Sequence, residues 1–158
     1  IRRQRQMCIR DRSDVDLYKI SGDVLNELEM KAKQSEIILE LEGSSQNIEG
    51  NERLIHEMIF NLCDNSIRYN KEGGKVKITV GKSGDKKFLS VEDNGIGIPK
   101  EEQDRVFERF YRVDKSHSKE TGGTGLGLSI VKHTVLIHNG EITMNSEVLK
   151  GTKITVTF

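Results

Sequence analysis

No stretch of about 18 apolar residues occurs in the sequence and nothing in it resembles a signal peptide, so the chain is expected neither to span a membrane nor to direct export. Cysteine is scarce. Cys8 and Cys63 stand far apart, without Cys-x-x-Cys or Cys/His spacing, which argues against a zinc site or a secreted disulfide framework and points to a reducing compartment. Charge of one prevailing sign is missing too: Lys plus Arg and Asp plus Glu both number 25, so no overall field favours nucleic acid or an anionic membrane. Two common nucleotide signatures, GxxxxGK[ST] and GxGxxG, are also absent. What remains is 158 residues, enough for one domain with a core that needs neither disulfides nor a structural metal.

The first twelve residues, IRRQRQMCIRDR, carry five arginines and no periodicity that continues into the rest of the chain. A basic arm for nucleic acid is one reading. The MCIRDR string also resembles translated sequencing-adapter read-through, and residues 1–12 are set aside as a non-native or linker segment ahead of a domain over 13–158. Without them 20 basic and 24 acidic residues remain, a formal charge of −4.

From residue 15 the hydrophobic pattern alternates between strand and helix periods. It predicts a strand over 15–20, then a helix capped by Ser21 and running to about residue 34. A strand over 37–41, a short extended piece or turn over 47–50, and a strong helix from Asn51 to about Tyr69 come next. Strands over 75–80 and 87–92 are joined by GKSGD as a hairpin. A long polar stretch over 95–124 holds the only proline, and after it come a helix over 125–138 and strands over 141–145 and 153–158. The fold class is α/β (α+β), a two-layer sandwich with a mixed, mostly antiparallel sheet of about five strands on three helices.

At about 100° per residue, Glu57, Asn61, Asp64, Asn65 and Arg68 share one arc of the Asn51 helix, and Ile55, Met58, Ile59, Phe60, Leu62, Cys63 and Ile67 fill the other. A solvated face would account for such an arc but is usually built of Lys and Glu. Asn is a weak helix former, so two of them one turn apart suggest a ligand for their amides. A neutral amide oxygen suits Mg²⁺, which takes few protein ligands when phosphates supply the rest.

DNGIGIP, over 93–99, ends a strand with a carboxylate and then spaces two glycines for close backbone approach to a flat ligand. GGTGLGLS, over 122–129, opens a helix whose backbone N–H groups and dipole would stabilise an anion such as a triphosphate. Either cluster alone could be a turn. Between them, Glu101 and Glu102 after Pro99 mark a short helix start, and the polar stretch beyond reads as a lid that could bring Arg109 and Arg112 to phosphates.

Taken in order, these pieces resemble the catalytic domain of bacterial sensor histidine kinases, within the ATPase superfamily shared with type II topoisomerases, heat-shock chaperones and mismatch-repair ATPases. NLCDNSIRYN resembles the N box of that family, DNGIGIP its G1 box, FERFYRVD its F box and GGTGLGLSIVKH its G2 box. The wording is most similar to Gram-positive phosphate-sensing and related kinases. The resemblance implies the Bergerat-type fold, ATP and Mg²⁺. It implies that Asn61 coordinates the metal, with Asn65 and Arg68 near the phosphates and Tyr69 near the adenine or ribose. Asp93 would accept the adenine amino hydrogen, with Gly95, Gly97 and Ile98 against the base. Arg112, with Arg109 as second candidate, would reach the terminal phosphate, and Thr124, Gly125, Leu126, Gly127 and Leu128 would bind the triphosphate. Glu57 stands where some superfamily ATPases keep a general base and many sensor kinases have Gln.

Such a kinase moves the γ-phosphoryl group to an imidazole nitrogen, with protein and metal chiefly positioning the reactants and neutralising charge. The phosphoacceptor of the family sits in a context such as HELRTP, and none of His56, His117, His133 or His138 does; they read as ordinary surface or helix residues. The expectation is the ATP half of a kinase. Its partners would be a dimerisation domain that carries the phosphoacceptor and, through the parent protein, a response regulator. The domain would be cytoplasmic and its parent bound to the bacterial membrane. A nucleotide-binding regulatory module, either a degenerate kinase or an anti-sigma-factor serine kinase, is the alternative; the intact boxes speak against the first and FERFYRVD against the second.

Overall fold

The computed structural model describes residues 12–108, 111 and 127–158. Residues 1–11 of the basic leader lie outside the described residues, as do Arg109, Arg112, Thr124, Gly125 and Leu126. No helix among the described residues is long and apolar enough to cross a membrane.

The chain begins with strand β1 (Ser13–Asp16) and enters helix α1 (Leu17–Gln34) directly. The start predicted after Ser21 is therefore five residues late. Asp16 is the N-cap: its Oδ1 accepts the backbone N–H of Tyr18 at 3.0 Å and of Lys19 at 3.2 Å, satisfying donors that the first turn leaves open. The Ser45 hydroxyl donates to Asp16 Oδ2 at 2.7 Å and, with those two N–H groups, holds the carboxyl below its ordinary pKa. Ser21 lies buried inside the helix and donates to the carbonyl of Leu17 at 2.7 Å instead of capping anything. The buried stripe Leu17, Ile20, Val24, Leu28 and Ala32 keeps helical spacing straight through it.

Strands β2 (Ile38–Gly43) and β3 (Asn47–Gly50) precede helix α2 (Glu52–Arg68), which begins where the sequence predicts, with Asn51 as a cap that accepts from Leu54 N at 3.0 Å. Next come β4 (Lys75–Ser83) and β5 (Lys86–Asp93), a 3₁₀ turn (Lys100–Glu102), helix α3 (Gly127–Ile137), and strands β6 (Glu141–Glu147) and β7 (Gly151–Thr157). The predicted β4–β5 hairpin is present, with longer strands than expected.

Five strands form one sheet in the order β2-β4-β5-β7-β6, and β1 and β3 pair separately as a two-stranded antiparallel ribbon. Only the β2–β4 pair of the larger sheet is parallel. A parallel pair needs a crossover, and here the crossover consists of β3 and α2, which lays α2 against the sheet. Val76, Ile78 and Val80 of β4 alternate with more exposed neighbours and meet Ile55, Met58, Ile59, Leu62 and Cys63 of α2 in a single core. Each fully buried aliphatic side chain there contributes about 1.5–3 kcal/mol. Val24 and Leu28 from α1 and Val131 and Val135 from α3 complete the helical layer. Among the described residues, three helices on a mixed, mostly antiparallel five-stranded sheet form the two-layer sandwich expected.

Candidate functional site

The apolar face of α2 is spent on the core, so its other face is left for chemistry. Asn61, Asp64, Asn65 and Arg68 are half-buried along that face and Glu57 is exposed. Asn61 donates through Nδ2 to the carbonyl of Glu57 at 2.9 Å, one turn back. Its Oδ1 lies toward the start of α3, where a Cβ built on Gly127 would stand 3.5 Å from that oxygen. Leu128, the next residue, packs against the core and secures the helix start. Two predicted contributors from distant stretches, Asn61 and Gly127, are thus brought together.

Asp64 holds a different position. Its Oδ2 accepts Arg68 Nε at 2.8 Å, and its Oδ1 pairs with Lys31 Nζ from α1. Arg68 is consequently oriented by a carboxylate one turn before it.

At the C-terminal end of α2 the last carbonyls lack partners within the helix. Tyr69 donates its N–H to the carbonyl of Asn65 at 3.1 Å, and its own carbonyl accepts Ile96 N at 3.1 Å. The glycine loop after β5 therefore docks on the helix terminus. A Cβ on Gly95 would lie 2.5 Å from Tyr69 O, so the loop approaches this closely only because residue 95 has no side chain. On the other side the loop is tied to the β6–β7 turn. Ile96 O accepts Leu149 N at 2.8 Å, Ile98 N donates to Ser146 Oγ at 2.8 Å, and Gln103 Nε2 bridges the carbonyls of Ile98 and Ser146. Gly97 has φ of +71°, and a Cβ there would stand 2.1 Å from Glu147 O.

Asp93 closes β5 at the root of this loop. Its Oδ1 accepts Gly95 N at 2.9 Å and Thr152 N at 3.2 Å, the second across the β5–β7 register that sets Asp93 opposite Thr152. The Ser66 hydroxyl of α2 adds a hydrogen bond. Burial pushes the carboxyl above its ordinary pKa, and the bonds from Gly95, Ser66 and Thr152 oppose that shift without cancelling it. Such a carboxylate, oriented by backbone donors and short of solvent, is suited to accept a hydrogen bond from a planar base.

The loop that runs from Asp93 through Gly95, Gly97 and Ile98 thus meets α2 at Tyr69, and Asn61 meets the start of α3 at Gly127. Asn65 and Arg68 occupy the helix between them. Ser66 and Thr152 were not among the predicted residues. A small hydroxyl between Cys63 and Ile67 on an otherwise apolar arc is the trace of Ser66 in the sequence; the N–H of Thr152 leaves none.

The sequence profile described as histidine kinase-, DNA gyrase B-, and HSP90-like ATPase matches residues 50–158. The sensor-like histidine kinase SenX3 of Mycolicibacterium smegmatis is 40% identical over 147 residues, covering 92% of this chain and 38% of that protein. The mycobacterial sensor histidine kinase MprB superposes with a TM-score of 0.80 at 27% identity, over 93% of this chain and 96% of that one. Full-length ShkA in complex with AMPPNP superposes with a TM-score of 0.78 at 25% identity, over 92% of this chain and 30% of that one. The chain spans 24–38% of the length of SenX3 and of the Bacillus subtilis sensor histidine kinases YkoH and WalK.

Proposed function

The chain belongs to the histidine kinase-, DNA gyrase B-, and HSP90-like ATPase family, and from that membership we propose that it is the ATP-binding catalytic domain of a sensor histidine kinase. The reaction would pass the γ-phosphoryl group of ATP to a histidine on a separate dimerisation domain. The observation that carries this reading is the Asp93 carboxylate, half-buried at the root of a glycine loop whose other side rests on the amide-bearing helix.

In this reading Asp93 accepts the adenine amino hydrogen, and Gly95, Gly97 and Ile98 let the base lie against backbone. Tyr69 borders the adenine or ribose. Asn61 fits the role of Mg²⁺ ligand: Nδ2 is used within α2, and Oδ1, a neutral hard donor, faces the start of α3. The ion would supply charge neutralisation on the phosphates. Asn65 and Arg68 lie farther along α2, between Asn61 and Tyr69, and in this reading serve the phosphates, and Gly127 and Leu128 begin the helix whose N–H groups would receive the triphosphate. Thr124, Gly125 and Leu126, with Arg112 or Arg109, lie outside the described residues and keep the roles that the resemblance implies, the first three in binding the triphosphate and an arginine at the terminal phosphate. In the transfer, the bond from γ-phosphorus to the bridging oxygen breaks, ADP leaves, and a P–N bond forms to imidazole, which releases a proton. Little covalent work falls to the protein, so orientation and charge carry the rate. Glu57, exposed and one turn before Asn61, is the candidate base.

The partners in this reading are the dimerisation domain bearing the phosphoacceptor and, through the parent protein, a response regulator. The setting is the cytoplasm, on a parent held in the bacterial membrane.

Titration of the purified chain with ADP and ATP, with and without Mg²⁺, tests the reading. Saturable binding that strengthens with Mg²⁺ is expected, with metal dependence disturbed in Asn61→Asp and label passing from ATP to an added dimerisation domain. No affinity at millimolar nucleotide would overturn it. Binding without transfer would instead favour the regulatory-module reading.

A further inference from the structure

His138, which the sequence presents as an ordinary surface or helix residue, is half-buried just past the end of α3 and is engaged at both ring nitrogens. Nδ1 is 2.7 Å from the carbonyl of Thr134, and Nε2 is 3.0 Å from the backbone N of Asn51, the cap of α2. A carbonyl only accepts and a peptide N–H only donates, so one tautomer satisfies both contacts: the neutral ring with its proton on Nδ1. Phe158 meets the ring edge-on at 6.3 Å. A Cβ on Gly50 would lie 2.6 Å from Cδ2 and 2.8 Å from Nε2, so the absence of a side chain at 50 is what admits the ring.

This contact lies at one end of the packed, antiparallel helices α2 and α3, and the approach of Asn61 to Gly127 lies at the other. From Asn51 to Asn61 is ten residues along α2, and from Gly127 to His138 eleven along α3. At 1.5 Å per residue the spans are about 15 and 16.5 Å, so the two contacts close a frame of nearly equal sides. Fixing one end of the frame fixes the axial register at the other. We propose that His138 is a positioning residue of the nucleotide site: its neutral imidazole pins the start of α2 to the end of α3, and protonation releases the pin and weakens nucleotide binding. This rests on the ATP-site reading above.

Protonation would put an N–H on Nε2 facing the Asn51 N–H, replacing a hydrogen bond with two opposed donors. Glu49 and Glu52 flank the Gly50–Asn51 step, but the charge that acts on the ring is the Arg12 guanidinium. Burial and Arg12 lower the His138 pKa, the Thr134 carbonyl raises it, and the net direction is down. The pin is therefore intact at neutral pH and is lost as pH falls below the ordinary histidine value of about 6.5.

The test is Mg²⁺-ADP affinity of the whole chain between about pH 5 and 8, for wild type, His138→Gln and His138→Phe. Glutamine offers a neutral acceptor to the Asn51 N–H; phenylalanine offers none. Wild type is expected to lose about tenfold in affinity at the acid end beyond the loss seen in His138→Gln, and His138→Phe to bind weakly at every pH. An acid step equal in wild type and His138→Gln would overturn the proposal. So would ¹⁵N NMR of the wild-type ring at neutral pH placing the proton on Nε2, a reading that needs no variant to fold. Absence of ADP binding by wild type at every pH would strike the ATP-site reading instead, and the NMR tautomer would still decide whether the pin exists.

Discussion

Thr152 on β7 and Asp93 on β5 stand opposite one another in the sheet, and the Thr152 N–H reaches Asp93 Oδ1 at 3.2 Å, beside the Gly95 N–H at 2.9 Å. The proposed base-reading carboxylate is thereby fixed from its own loop and from the neighbouring strand at once. Burial nevertheless leaves its pKa raised. A raised pKa in the folded state means that folding favours the protonated form, so the ionised carboxylate costs stability above the folded pKa and the cost is relieved as pH falls through it. Asp93→Asn removes the charge but keeps an oxygen for Gly95 and Thr152. Denaturant unfolding of the variant at neutral pH is expected within about 1 kcal/mol of wild type or more stable. Adenine nucleotide affinity is expected to fall by about a hundredfold, because the amide presents no charged acceptor to the adenine amino group. A stable variant that keeps full affinity would remove Asp93 from base recognition.

Gly97 and Gly73 share a left-handed backbone, with φ of +71° and +78°, but differ in what surrounds them. A Cβ at 73 meets nothing within 4 Å, whereas one at 97 would stand 2.1 Å from Glu147 O. Gly73→Ala therefore bears only the cost of the left-handed conformation, about 1 kcal/mol. Gly97→Ala must also push the glycine loop off the β6–β7 turn. Thermal or denaturant unfolding should show a loss of about 2 kcal/mol or more for Gly97→Ala, with nucleotide affinity falling in that variant alone. Equal losses in both would mean that the loop relaxes freely.

The helix start at Asn51 is legible in the sequence because its cap acts locally, through a side chain reaching Leu54 three residues on. The start of α1 is not, because part of what favours Asp16 as cap is a hydroxyl at Ser45, 29 residues away. The candidate site divides the same way. Asn61, Asp93, Gly95 and Gly97 sit in short motifs whose spacing already suggests their surroundings. His138 and Thr152 act on partners 87 and 59 residues distant, through a backbone N–H at one end of each bond, and spacing along the chain does not encode such a meeting. The separate β1–β3 ribbon is hidden likewise: two four-residue strands are too short for their period to stand out.

Asp64 carries two cations at once, Arg68 from its own helix and Lys31 from α1, and its side chain is 16% exposed. Removing the two kinds of partner should have unequal effects. Lys31→Met leaves Asp64 its bond to Arg68, and with the lysine 37% exposed the expected loss is under about 1 kcal/mol. Asp64→Asn leaves two neighbouring cations without the carboxylate that separates them, so a larger loss of about 1–3 kcal/mol is expected. Stability is only part of the consequence. Asp64 fixes Arg68 through Nε, and Arg68 is proposed to face the phosphates, so Asp64→Asn should weaken ATP binding more than adenosine binding. Calorimetric titration with the two ligands separates these outcomes. If both affinities fall by the same factor, Asp64 serves the packing of α1 on α2 and has no bearing on the triphosphate.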